Sequence, residues 1–221
     1  MPYLQRLGPK LVKYLSDEHG KSDRIMVIGC LAETFNQCPA ALQVYFSDFM
    51  AVLFKHCTGT DGSLNRNVSY AFAICAQKAS QEQFMPQMQN TFQAIRQMHA
   101  ASDEDDAKDN CLAAYVRILE HYQSQIPPNE VEEIFTQIMN SIPLEGDPSE
   151  NQTMLKFIMN VNATQPDKVL PYMDKITLLC LKLLTDSRCH RDLDESFKVL
   201  TAKFIKNVIM NCGRDDVVQK L

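Results

Sequence analysis

Glycine is scarce in this sequence. Seven of 221 residues are glycine, about 3% against the ~7% of an average chain. Hairpins and glycine-rich phosphate loops depend on positive φ angles, which glycine supplies at no steric cost. The shortage therefore argues against a hairpin-rich sheet protein and against a nucleotide enzyme built on such loops. It points to helices joined by few tight turns. Long apolar runs are missing too: stretches such as Ala71–Ala76 fall far short of the ~18 residues a membrane span needs. The opening MPYLQRLGPKLVKYL has no signal-peptide core. A basic face is not indicated either, since the formal net charge is −5 and the pI is near 5.5. Phosphate contacts need such a face, so neither nucleic acid nor membrane is expected as a direct partner. A basic protein partner suits the charge.

Signatures of chemistry are equally absent. No G-x-G-x-x-G, P-loop, H-E-x-x-H or G-x-S-x-G occurs. The five histidines (19, 56, 99, 121, 190) are scattered along the chain. Asp103–Asp109 superficially resembles a calcium loop but lacks the turn glycine and the terminal glutamate. Eight cysteines (30, 38, 57, 75, 111, 180, 189, 212) include no Cys-x-x-Cys and lie mostly in apolar helical runs. That predicts free thiols in a reducing compartment. Asn67-Val-Ser69, Asn151-Gln-Thr153 and Asn162-Ala-Thr164 match the glycosylation pattern, by chance where no signal peptide precedes them. No enzyme activity, cofactor or metal is expected.

What is present is helical periodicity. Apolar residues at three- and four-residue spacing predict helices near 3–15, 22–37, 40–57, 64–79, 82–99, 107–124, 128–142, 148–163, 167–185 and 191–212. Cys38-Pro39, Ser80, Ile126-Pro127-Pro128 and Gln165-Pro166 close every second helix. The first helix of each pair repeats a proline or its stand-in ahead of a dense apolar stripe: Pro9, Phe49, Pro86 and Pro171. Their spacings of 40, 37 and 85 residues give a period of ~40 with two helices per unit, the HEAT or armadillo pattern. A plain helical bundle would leave the recurring proline unexplained. The expected fold is all-α, a right-handed α-α superhelix of about five antiparallel pairs near 3–37, 40–79, 82–124, 128–163 and 167–212. These pairs are expected to form a single array over 1–221, with a tail after Gly213. One pair cannot bury its apolar face alone, so neighbours must stack.

The turns fall into two classes. Within pairs they are acidic: Asp17 and Glu18; Asp61; Asp103, Glu104, Asp105 and Asp106; Glu145, Asp147 and Glu150; Asp186, Asp192 and Asp194. Between pairs they are uncharged. Equivalent turns of a solenoid share an edge, so these acids predict a line of negative potential for a basic, extended partner. Asp and Glu also cap the following helix and complement its dipole, which explains part of the pattern but not four consecutive acids. Along the second helices, Glu33, Tyr70, Asn110 and Glu150 recur at intervals of 37, 40 and 40. With Asn67 and Asn151 they form the candidate peptide-binding set if the second helices line the concave face. Carboxylates would pair with lysine or arginine, tyrosine would face a cation, and asparagine would hold a backbone amide. Capping or plain solvation is the other reading of each position.

Three stretches bring the sequence to a known family. LNRNVSYAFAICAQ (64–77), DNCLAAYVRI (109–118) and IPPNEVEEIFTQIMNSIPLEGDPSENQT (126–153) resemble the C-terminal part of nuclear transport receptors of the importin-beta family, in its importin 4 and importin 5 branch. The likeness is continuous from about Asp23 to Pro166. It implies HEAT pairs whose concave face binds basic nuclear localisation segments, such as histone H3/H4 tails or ribosomal proteins. It also implies shuttling between cytoplasm and nucleus, contact with nucleoporins and a monomeric state. In the histone-carrying branch, acidic, tyrosine and asparagine residues hold an H3-tail lysine, and Glu33, Tyr70, Asn110 and Glu150 are the positions here that fit. Ser149 departs from an acid common in that turn. Family members run to about twenty or more repeats, so this chain is expected to be a C-terminal piece, with the Ran-binding arch in a missing N-terminal part. A HEAT scaffold subunit holding a folded partner is the alternative.

Overall fold

The computed structural model describes residues 2–16, 18–57, 60–190 and 193–211. Asp17, Asp192, Cys212 and the tail after Gly213, all used above, lie outside the described residues. Among those described, every regular element is a helix. They are α1 Pro2–Lys13, α2 Lys21–Gln37, α3 Pro39–His56, α4 Gly62–Lys78, α5 Gln81–Phe84, α6 Met88–Ala101, α7 Asp105–Tyr122, α8 Pro128–Ser141, α9 Asn151–Thr164, α10 Pro166–Val169, α11 Met173–Thr185, α12 Ser187–His190 and α13 Glu195–Asn211. The fold is the expected all-α, HEAT-like packing of helix pairs. The chain divides into two compact units, Met1–Pro127 and Pro128–Leu221, at the Ile126-Pro127-Pro128 stop.

The elements follow local chemistry. Pro39 and Pro128 each open a helix, where a missing N–H costs nothing. Asp61 caps α4 by accepting the Leu64 N–H at 2.8 Å. Ser80 and Gln83 form a capping box on α5. The sequence predicts unbroken helices over 82–99 and 167–185, and here the structure differs. Each contains a three-residue 3-10 turn, Met85–Gln87 and Leu170–Tyr172, centred on Pro86 and Pro171. Proline has no N–H for the i−4 carbonyl and its ring crowds that turn, so the helix tightens locally. The last predicted helix starts later, at Glu195, because Asp194 accepts the Phe197 N–H at 2.7 Å and so sets its start.

In the first unit α2 packs on α3, α3 on α4 and α6 on α7, while the second helices α2, α4 and α7 lie side by side. Its core holds Tyr115, Phe72, Phe84 and Phe92, all fully buried, with Phe92 stacked on Tyr115 at 5.6 Å between ring centres. Each such burial contributes roughly 1.5–3 kcal/mol before entropy is charged against it. In the second unit α9 packs on α10 and α11, and α11 on α13. Three lysines seven residues apart tie the α10–α11 helix back to α8 and the loop after it. Lys168 pairs with Glu132 at 2.5 Å, Lys175 donates to the Asn140 carbonyl at 2.7 Å, and Lys182 donates to the Leu144 carbonyl at 3.1 Å.

Candidate functional site

The row of second helices in the first unit is held in a repeating register. Asn67 on α4 donates to the Ile25 carbonyl of α2 at 2.8 Å, 42 residues away. Cys111 on α7 donates to Ser69 on α4 at 3.6 Å, again 42 residues away. Arg66 meets Asp106 at 3.2 Å, 40 residues away. Small residues permit this closeness: a Cβ on Gly29 would stand 3.1 Å from the Asn67 amide nitrogen. The ~40-residue period read from the sequence is thus a physical contact distance along the chain, from one repeat to the next.

On this row the structure joins Glu33 and Tyr70. The Tyr70 hydroxyl donates to Glu33 Oε2 at 2.9 Å, from α4 to α2. Gln37 donates to Glu33 Oε1 at 2.8 Å. Asn36 reaches both Glu33 Oε2 and the Tyr70 oxygen at 3.5 Å. Glu33 is exposed and Tyr70 half-buried. Hydrogen bonds from Gln37 and then Tyr70 hold the Glu33 carboxyl below its ordinary range. Burial, followed by donation to Glu33, pushes the Tyr70 phenol up to about 12. At neutral pH the pair is therefore a fixed carboxylate beside a protonated phenol, and the charge of Arg117 on α7 acts on the phenol in the opposite direction to Glu33. An oriented carboxylate next to a half-buried aromatic ring suits an incoming cation.

The other candidates are placed differently. Asn67 spends its amide on Ile25. Asn110 is 7% exposed, and its Nδ2 donates to the Asp106 carbonyl of its own helix at 2.9 Å. It is not on the exposed row with Glu33 and Tyr70, because α7 carries a nearly continuous buried stretch through this point. Glu150 and Asn151 belong to the second unit and are both buried. Glu150 accepts from the Thr153 hydroxyl at 2.7 Å. Asn151 bonds the N–H and carbonyl of Leu144 at 2.8 and 2.9 Å and the Pro148 carbonyl at 3.2 Å.

The acidic turns divide by partner. Lys21 at the head of α2 pairs with Asp61, and Arg66 with Asp106. In the second unit Glu145 pairs with Lys182 at 2.5 Å, and Asp186 with Arg188 at 2.7 Å. Asp147 accepts from the Ser149 hydroxyl at 2.5 Å. Many of these acids are staples and caps as much as an open edge. Asp103, Glu104 and Asp105 are exposed and keep the turn before α7 strongly negative.

No protein-family model matches the chain. Two known proteins are similar to it along most of its length. One is the "Probable importin subunit beta-4" of Schizosaccharomyces pombe, 21% identical over 179 residues, or 81% of this chain and 16% of that protein. The other is "Importin-4" of Homo sapiens, 22% identical over 202 residues, or 90% of this chain and 18% of that protein. The chain is a distant relative within the importin-beta family. It spans less than a fifth of the length of either importin it matches.

Within this importin-related chain, sequence reasoning missed Asn36, Gln37, Lys21 and Arg66. The first two were legible, since they stand three and four residues after Glu33 on one helix and so must neighbour it. Lys21 and Arg66 stand 40 residues before Asp61 and Asp106, so the period itself carried that signal.

Proposed function

We propose that the chain is part of a nuclear transport receptor and that its first unit holds a basic, extended segment of cargo along α2, α4 and α7. Histone H3/H4 tails and ribosomal proteins are the cargo class in mind, and shuttling between cytoplasm and nucleus goes with it. The observation that carries the reading is the Glu33–Tyr70 hydrogen bond, which fixes an ionised carboxylate on exposed surface. Asn67 and Asn110 support the row from within, and Asn151 shapes a turn of the second unit. The acids 103–105 add a negative field that speeds encounter with a basic chain. Ran and nucleoporin contacts fall to the complete receptor.

The test is binding of an immobilised H3-tail peptide at low and moderate salt. Binding that weakens with salt and is lost when the peptide lysines are acetylated is the expected result. No detectable binding at either salt removes the histone assignment. Binding that persists unchanged after acetylation removes the charge-based mechanism and favours a scaffold that grips a folded partner.

A further inference from the structure

We infer that the exposed face of α1 is a docking surface for an acidic amphipathic helix of a partner protein, laid parallel to α1. The inference is independent of the Glu33 site and starts from how first helices touch within this chain. In the α5–α6 helix, Gln83 stands three residues before Pro86 and donates to the Gln43 carbonyl of the preceding first helix, α3, at 2.9 Å. In the α10–α11 helix, Lys168 stands three before Pro171 and pairs with Glu132 of the preceding first helix, α8, at 2.5 Å. Lys175, four after Pro171, donates to the Asn140 carbonyl of α8 at 2.7 Å. The two contacts advance along both helices together, so α8 and the α10–α11 helix run parallel. The third place before the proline thus reaches a neighbouring helix in two repeats, and the fourth place after it does so in one.

In α1 those two places around Pro9 are Arg6 and Lys13. Both are exposed, and exposed Lys10 shares their face of the helix. Beside the three cations, exposed Leu7 and half-buried Leu11 make an apolar lane, and exposed Tyr14 continues it just past the helix. α1 contains no acidic residue. A face of this kind complements a helix whose own apolar lane is flanked by carboxylates. Like charges exclude α1 of a second copy as the occupant. A flat anionic surface would meet the charge but make no use of the proline register, which in both precedents contacts a helix.

The probe is a fluorophore-labelled, stapled helix of about four turns with a leucine lane flanked by a row of glutamates, and a twin in which lysines replace the glutamates. Each is titrated by anisotropy against the wild-type chain, Arg6→Gln/Lys13→Gln, Arg6→Glu/Lys13→Glu, and Lys203→Glu/Lys206→Glu. The last carries the same charge reversal on exposed lysines of α13. Circular dichroism and thermal melts show that each variant folds. The glutamate helix should bind the wild type and the α13 variant within about twofold of each other, and Arg6→Gln/Lys13→Gln roughly tenfold more weakly. Charge reversal on α1 should abolish that binding and create affinity for the lysine twin. No binding of the glutamate helix to the wild type, or equal binding to all four chains, would overturn the inference. Tighter binding of the wild type to phosphatidylserine vesicles than to the glutamate helix would overturn it in favour of a membrane. A wild-type dimer in sedimentation that the α1 reversal breaks up would overturn it in favour of a second copy.

Discussion

Asn151 grips the backbone of Leu144 on both polar atoms, accepting its N–H at 2.8 Å and donating to its carbonyl at 2.9 Å. Lys182 adds a second bond to that carbonyl at 3.1 Å, so the loop between α8 and α9 is fastened by one side chain at its own end and by another from α11. The asparagine is completely buried. Asn151→Ala leaves an N–H without its partner and removes one of two donors to the carbonyl. We expect a loss of about 2–4 kcal/mol of stability, read from the denaturant midpoint at unchanged slope. A loss below ~1 kcal/mol would mean the loop finds other partners.

Gly29 and Asn67 are coupled through a contact that does not yet exist. A Cβ on Gly29 would press on the Asn67 amide at 3.1 Å and disturb its bond to Ile25. Replacing a mid-helix glycine by alanine otherwise stabilises by about 0.5–1 kcal/mol. Gly29→Ala should therefore be neutral or destabilising with Asn67 present, and stabilising in an Asn67→Ala background. A double-mutant cycle measures the difference, and additivity would show that the amide simply moves aside.

Much of the fold was legible because its causes are local. Helix limits followed capping residues and prolines, and the period followed from the recurrence of Pro9, Pro86 and Pro171 in first helices. The neighbourhood of Glu33 and Tyr70, one exposed and one half-buried, was legible from their interval of 37. Asn110 stands at the next interval, yet burial on α7 is decided by what packs on that helix, which spacing does not encode. Asn151 matched a peptide-binding pattern while its amide was committed to a turn seven residues back. The breaks at Pro86 and Pro171 were readable in principle, since an interior proline cannot complete the helical bond pattern.

Asp61 and Lys21 form an ion pair with unequal roles. Asp61 also caps α4 through Leu64, whereas Lys21 is exposed at the N-terminal end of α2, where a cation opposes the helix dipole. Asp61→Ala should cost about 1–2 kcal/mol, and Lys21→Ala less than ~0.5 kcal/mol. Raising the salt should reduce any effect of Lys21 and leave most of the Asp61 cost. Equal costs would mean that the pair, not the cap, is what matters.

The cysteines should separate cleanly by reactivity. Cys30 is exposed. Burial pushes the Cys111 and Cys180 thiols up to about 12 and raises Cys75 as well. At pH 8 a thiol near 12 is ionised in roughly one molecule in ten thousand, and the thiolate is the reacting form. Mass spectrometry after brief alkylation of the native chain should find Cys30 modified and Cys75, Cys111 and Cys180 protected. Denaturant should make all four react. Native labelling of Cys111 or Cys180 would show that the α4–α7 or α9–α11 packing opens readily.

The central claim is that Glu33 and Tyr70 together form the seat for a cation of a basic segment. The direct measurement is the dissociation constant of the H3-tail peptide at fixed, moderate ionic strength for the wild-type chain, Glu33→Gln, and Asp103→Asn/Asp105→Asn. Glu33→Gln removes one charge from an oriented site and should weaken binding roughly tenfold. The double substitution removes two charges from a solvated turn and should weaken it about twofold, through slower association. Equal affinity for wild type and Glu33→Gln, with the larger loss in the turn variant, would contradict the account and move the binding surface to the acidic edge.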